Sequence, residues 1–431
     1  MKKLSAIIIA AMLLFPTISS ATNGYWAHGY GPKSKSIAGA CVAMAFGAMC
    51  TASNPGSLVL VGNRMEAGVS LFSPNRGFNA NNNASSVGPP TGPASIPTGQ
   101  YESSNQFFLI PHFAYNRMLN ENTSLGITVG GNGGMNTEYD KAVFANFGNP
   151  MMPSTLATTP TGINLMQGFI GLPLSYKLNA QHSIGIAPII AIQSFEAKGL
   201  QPFTSFSLHP ESVTNNGQDM SYGGGVRIGW LGQITPQLNL GASYQTKLWM
   251  SKFDKYKGLF AEEGGFDVPP NYDLGFSYKF TPTFTLAFDY QRIEFEKIKT
   301  IGNAADLVFM PGQTLLGTEH GLGFGWKNMN IYKIGAQWEY TPDLSFRVGF
   351  SYADQVVPES QALFNVLAPA VVTQHYTFGF TKKLDAKNEI STAVLYAPKD
   401  SVQGTNPNTG PQTGDIYMDQ WEIEIGWAMR F

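Results

Sequence analysis

The last eleven residues of the chain alternate without a break. Trp421, Ile423, Ile425, Trp427, Met429 and Phe431 are apolar, whereas Glu422, Glu424, Gly426, Ala428 and Arg430 between them are charged or small. A strand sends these two sets to opposite faces. A half-buried strand of a soluble sandwich alternates too, but here the pattern recurs through the chain, which stops on its terminal aromatic. Alternating segments of about ten residues, apolar outward and polar or small inward, are the unit of a transmembrane barrel. Composition agrees, because only 13% of the 431 residues are charged against about 25% in an ordinary soluble domain. The net charge of −2 supplies no basic field for nucleic acid, so no such partner is expected.

Met65, Ala67, Val69 and Leu71 mark a first strand, Phe107 to Asn116 a second, and Leu125, Ile127 and Val129 a third. Continuing to the terminal segment gives about fourteen strands, an even count as a single-chain bacterial barrel requires. Six connections are short and turn-like, among them Thr235-Pro236-Gln237, Thr281-Pro282-Thr283 and Thr341-Pro342-Asp343. The connections between them are long, for example 74–105, 136–162 and 297–328. Short turns belong on the periplasmic side and long loops outside. No run of eighteen or more apolar residues follows the N-terminus, which excludes a helical membrane protein.

The N-terminus supplies the route. Lys2 and Lys3 precede an apolar stretch from Leu4 to Phe15, and Ser19 and Ala21 take the small-residue positions of a cleavage site. Residues 1–21 therefore read as a signal peptide. Residues 22–63 are rich in glycine and alanine and break the alternation, which reads as a compact plug, or hatch, inside the lumen. Residues 64–431 form the barrel. The expected fold is all-β: a membrane-spanning antiparallel barrel with an N-terminal plug, in the outer membrane of a Gram-negative bacterium.

The segment Asn23-Gly24-Tyr25-Trp26-Ala27-His28-Gly29-Tyr30-Gly31-Pro32-Lys33-Ser34-Lys35 resembles the N-terminus of the FadL/TodX family of outer-membrane transporters of hydrophobic compounds. Asn54-Pro55-Gly56 falls where that family carries an Asn-Pro-Ala hatch motif. Asn132-Gly133-Gly134-Met135-Asn136-Thr137, Gln291-Arg292-Ile293-Glu294 and Phe364-Asn365-Val366-Leu367-Ala368-Pro369 match further along. The resemblance implies a fourteen-stranded barrel closed by a hatch, with the mature N-terminus, including His28, threaded into a ligand pocket. It also implies a third strand kinked inward to open a side door, which falls on Gly130, Gly131, Gly133 and Gly134. From the residues alone, those glycines mark either a bulge or the end of the strand.

Several side chains stand out as ligand contacts. Phe144, Phe147, Met151, Met152, Leu156, Phe203, Phe206 and Leu208 lie in predicted loops, where exposed apolar groups mark a binding groove and Met adapts to varied shapes. Arg227, Lys333 and Arg347 fall on the polar face of their strands, hence in the lumen. There they either pair with acids or clamp a ligand carboxylate. Cys41 and Cys50, in an oxidising compartment, suggest a disulfide that staples the hatch. The six histidines are scattered, so no metal site is expected, and neither a cofactor nor a catalytic motif appears. The expected function is monomeric, non-enzymatic uptake of hydrophobic molecules, foremost long-chain fatty acids, out of a lipid and lipopolysaccharide surface. The alternatives are an aromatic-hydrocarbon channel of the same family and a receptor or adhesin barrel whose loops hold a partner.

Overall fold

A computed structural model describes residues 23–81, 95–305, 315–405 and 412–431, so the expected signal segment lies outside the described residues. In chain order the strands are β1 (Arg64–Ala80), β2 (Gly99–Glu102), β3 (Phe108–Asn120), β4 (Thr123–Tyr139), β5 (Thr161–Gly171) and β6 (Leu174–Lys177). They continue as β7 (His182–Lys198), β8 (Asp219–Gln233), β9 (Leu238–Gln245), β10 (Trp249–Met250), β11 (Asn271–Thr281) and β12 (Phe284–Ile293). The last five are β13 (Met329–Thr341), β14 (Leu344–Ala353), β15 (Gln374–Lys383), β16 (Asn388–Thr405) and β17 (Thr413–Arg430). The pairs β2/β3, β5/β6 and β9/β10 each fill one position in the wall, so the barrel has fourteen antiparallel positions, as the alternation predicts.

β1 closes the ring by pairing with β3 on one side and with β17 on the other, from Arg64↔Arg430 to Ala80↔Gly414. Closure gives β1 a ladder partner on both sides, so the sheet does not end on a free outer strand. Ile423, Ile425, Val348 and Phe378 point outward and are about half exposed, while Glu422, Glu424 and Arg347 of the same strands are buried inside. Aromatics mark both ends of the wall. On β13, Tyr332 lies toward the long loops and Trp338 and Tyr340 toward the short turns, all exposed.

The short turns form for a common reason: an early Thr, Asn or Asp side chain accepts from backbone N–H groups two or three residues on. Thr281 Oγ1 takes Thr283 N and Phe284 N, Thr235 Oγ1 takes Gln237 N and Leu238 N, and Asp385 Oδ1 takes Lys387 N and Asn388 N. Strands run further on the loop side than the alternation indicates. β1 continues through Pro74 to Ala80, because Pro74 sits where β1 has left β3 at Phe72↔Phe108 and has not yet met β2 at Gly77↔Glu102. A missing N–H costs nothing where no ladder partner waits.

Residues 23–63 lie within this ring, tied to inward-facing groups all round it. His28 Nε2 is 2.9 Å from Ser351 Oγ on β14, Ala38 N donates to Thr377 Oγ1 on β15 at 3.0 Å, and Val42 N donates to Asp289 Oδ2 on β12 at 2.9 Å. On the far side Asn116 Nδ2 of β3 donates to Leu58 O at 3.1 Å. Wall glycines give the segment room: a Cβ on Gly349 would lie 2.4 Å from Ala38 N. A buried ion layer anchors its base. Lys33 pairs with Glu389, which also takes Arg64; Arg64 holds Glu66, whose carboxylate accepts Ala48 N and Met49 N. Lys35 pairs with Glu422 and with Glu424 (2.8 Å), and Glu424 also meets His112 at 2.8 Å. Removing one member of such a layer strands a charge in the interior.

Candidate functional site: an apolar cavity and a broken ladder

On the loop side, side chains from several loops and from strands β5 and β7 converge on a cavity of about 90 Å³. Its lining is almost wholly apolar: Phe144, Phe195, Phe203, Phe260, Leu316, Leu322, Phe324, Phe364 and Leu367 among others, with Thr300 as a polar exception. The rings pack edge to face, Phe144 against Phe203 at 4.9 Å and 79°, which holds the walls apart without a polar group. A larger concavity between Tyr176, Trp230, Tyr244 and Tyr272 lies among outward, lipid-facing side chains.

The loop residues singled out in the sequence divide into two sets. Phe144 and Phe203 line the cavity, and Phe147 is buried behind them, 5.5 Å from Phe144. Met151, Met152, Leu156 and Leu208 are exposed, Met151 to 88%, and Phe206 is half-buried. The lining residues missed by that reading, Phe260, Leu316, Leu322 and Phe324, lie in loops without periodicity. Phe364 and Leu367 did carry a signal, since they fall in one of the matching family segments.

The N-terminal residues reach the same apolar core. Tyr25 packs on Phe295 (5.4 Å), Trp326 (5.9 Å) and Phe266 (6.3 Å), and its burial drives the phenol pKa upward. His28 lies against His375, their rings tilted by 46° with centroids 4.7 Å apart. Burial first, and then the neighbouring His375, Lys333 and Lys35, pushes its pKa well below the ordinary imidazole value, so it is neutral in place.

Trp26 and Ala27 meet the wall at β4. The β3–β4 ladder runs up to His112↔Gly130 and stops there, although β4 continues to Tyr139 on β5. The glycines therefore do not end the strand. Asn132 is an extra residue between Gly131↔Gly168 and Gly133↔Gln167, a β-bulge. In place of β3, the bulge pairs with the N-terminal segment: Ala27 N donates to Asn132 O, Trp26 bridges Gly133, and Tyr30 Oη donates to Asn132 Oδ1 at 2.7 Å. The wall joins again higher up, where Ser104 N donates to Glu138 O at 2.9 Å and Glu138 N to Ser103 Oγ at 3.0 Å. Between these limits β3 and β4 share no ladder.

The three luminal cations serve the inner segment. Arg227 donates to Ser53 O (2.9 Å), Gln245 and Asn271 and lies 3.6 Å from Asp273. Arg347 donates to Gln337 and Thr381 and stacks on Phe46. Lys333 is buried against the path of Gly39. None of them lines the cavity. Cys41 and Cys50 are free, buried thiols rather than the expected disulfide; Cys41 Sγ instead lies 3.4 Å from Ser34 Oγ, which gives the thiol a polar partner inside the segment.

Asn54 caps the turn Pro55–Leu60, its Oδ1 accepting Gly56 N at 2.9 Å, while Nδ2 donates to Val42 O (2.7 Å) and to Trp230 O of β8 (2.9 Å). Ser183 Oγ holds Gly56 O at 2.7 Å, and a Cβ on Gly229 would lie 2.1 Å from Asn54 Oδ1. Asn54→Ala removes all three amide bonds and strands two carbonyls and an N–H. We expect reduced uptake from a barrel that still migrates as a folded, heat-modifiable band; loss of that band would assign the residue to folding.

Fold and cavity together define a membrane-spanning β-barrel with an apolar cavity among its loops. A family model described as outer membrane protein transport protein (OMPP1/FadL/TodX) matches residues 20–423, and the chain belongs to that family. Among solved structures, the chain is similar to the Pseudomonas putida toluene transporter TodX at 17% identity and TM-score 0.67, over 94% of this chain and 99% of that one. It is similar to a Pseudomonas aeruginosa FadL homologue at 14% identity and TM-score 0.68, over 95% and 100%. For the Ralstonia pickettii toluene transporter TbuX the values are 17% and 0.60, over 94% and 99%. No curated protein matches. The protein is thus an outer-membrane transporter of hydrophobic compounds.

Proposed function

We propose that the protein takes up long-chain fatty acids. The exposed Met151, Met152, Leu156 and Leu208 skim the molecule from the lipopolysaccharide surface, the apolar cavity takes in the end of its chain, and it leaves sideways through the gap between β3 and β4. The apolar lining of the cavity carries this reading, since it offers a hydrocarbon the contacts that water-filled pores lack.

The coupling runs through residues 22–63, which we read as a hatch. Tyr25 belongs to the apolar core around the cavity, and Trp26 and Ala27 are bonded to the β4 bulge. A ligand that competes for the space of Tyr25 pulls on the residues that fill the gap. Both events favour one rearranged state, which is what links binding to release. Arg227, Lys333 and Arg347 hold the hatch in this scheme and do not clamp the ligand. Neither a cofactor nor a chemical step is needed, and a monomer suffices.

A second reading, uptake of a neutral monoaromatic hydrocarbon, is favoured by the absence of any cation from the cavity lining among the described residues. Growth separates these readings from an adhesin. A deletion strain should grow poorly on long-chain fatty acid as sole carbon source and recover with the chain restored; unchanged growth with diminished surface adhesion would refute the transport reading.

A further inference from the structure

The cation that best fits a ligand carboxylate is not one of the three in the lumen. Arg76, on the loop side of β1, is only 6% exposed, yet among the described residues no carboxylate comes within 4.0 Å of it, whereas Arg64 and Arg227 each have acids. Of its five N–H groups, Nη2 donates to Asn105 O at 3.1 Å and Nε is buried without a partner. A guanidinium left so poorly satisfied in the interior is costly, and natural proteins keep such groups where something else completes them.

Its position says what that is. Ser103 N donates to Arg76 O at 2.9 Å, so Arg76 stands level with Ser103, where the wall rejoins β4 through Glu138. Arg76 is therefore at the upper rim of the gap. Its guanidinium lies over the Phe108 ring at 5.6 Å, and Phe108 forms with Phe72 and Ile110 a small apolar cluster separate from the main core. Phe108 and Ile110 belong to the stretch of β3 that has lost its β4 partner. On the β4 side, Thr137 Oγ1 donates to Leu367 O (2.8 Å) and Tyr139 Oη to Val366 O (2.6 Å), and Leu367 lines the cavity. A cation, an apolar shelf and an unpaired strand edge thus meet beside the cavity.

We infer that Arg76 is a head-group site at the lateral opening, which binds the carboxylate of a departing fatty acid while its chain lies on Phe72, Phe108 and Ile110. The guanidinium fork matches a carboxylate with two parallel N–H donors. It keeps the head group paired during the step in which it loses water. Arg76 would thereby select carboxylates over neutral molecules of the same length. The inference rests on the transport reading above, and its test separates the two.

Cells lacking the native gene and carrying the wild type, Arg76→Met or Arg76→Lys are given labelled oleate or labelled oleyl alcohol. Met keeps the stem packed on Phe108 and removes the charge. We expect Arg76→Met to take up oleate about tenfold more slowly, the size of a lost charge-assisted hydrogen bond, with oleyl alcohol at the wild-type rate and Arg76→Lys restoring part of the oleate rate. Equal rates for oleate in Arg76→Met and wild type, or equal losses for both molecules, would overturn the inference. Failure of the wild type to take up either molecule would instead remove the transport reading. Should Arg76→Met not give the heat-modifiable band, Arg76→Gln, which can still donate to Asn105 O, carries the same comparison.

Discussion

Phe203→Asp is expected to abolish binding and uptake of fatty acid while the barrel assembles normally. Phe203 lies in a loop turn, Gln201–Phe206, outside the membrane-spanning wall; it lines the cavity and packs on Phe144, which also lines it, and on Phe147 behind. Among the described residues the lining offers a carboxylate there no cation to pair with, so it brings water into the cavity or is buried unpaired. Either outcome removes the apolar environment that binds a hydrocarbon. We expect a loss of affinity of about 100-fold or more, from a penalty of several kcal/mol for an unpaired charge. Fluorescent fatty-acid titration of the purified barrel measures it. Wild-type affinity in a correctly folded variant would place the binding site elsewhere.

The second large effect is expected at the gap. Replacing Gly130, Gly131, Gly133 and Gly134 together with Val or Ala adds side chains that favour extended, regularly paired strand, where glycine tolerates the bulge at Asn132. A regular β4 would resume its ladder with β3 beyond His112↔Gly130 and give up its bonds to Ala27 and Trp26. The apolar cavity proposed to bind ligand lies among the loops above and should be left intact. Surface binding should persist and uptake should stop, with heat-modifiability unchanged. Uptake at the wild-type rate from the folded variant would mean that the ligand leaves by another way.

The wall was legible from the sequence because lipid imposes a period of two on every strand and the short turns carry their own chemistry. Ile423 and Glu422 could be assigned to faces by counting, and Thr281-Pro282-Thr283 could be recognised as a turn from its residues. The cavity was legible only in part. Phe144 and Phe203 stood out as apolar residues in polar loops, but Phe260, Leu316 and Phe324 reach the cavity from separate loops whose packing no local pattern encodes. Arg76 was hidden for a different reason. Pro74 and Asn75 look like the start of a loop, yet β1 passes through them because its neighbour is missing at that point. The break that conceals Arg76 in the sequence, between β1 and its β2/β3 neighbours, lies one wall position from the gap between β3 and β4. Arg227 and Arg347 were rightly placed in the lumen, but their partners, Ser53 O and the Phe46 ring, belong to a segment with no strand register from which to infer them.

The most direct test is the uptake of labelled oleate and labelled toluene by cells lacking the native gene, with and without the chain restored. Restoring the chain should raise oleate uptake and leave toluene entry unchanged. A rise in toluene uptake with oleate unaffected would contradict the fatty-acid assignment and favour the neutral-hydrocarbon reading of the same cavity.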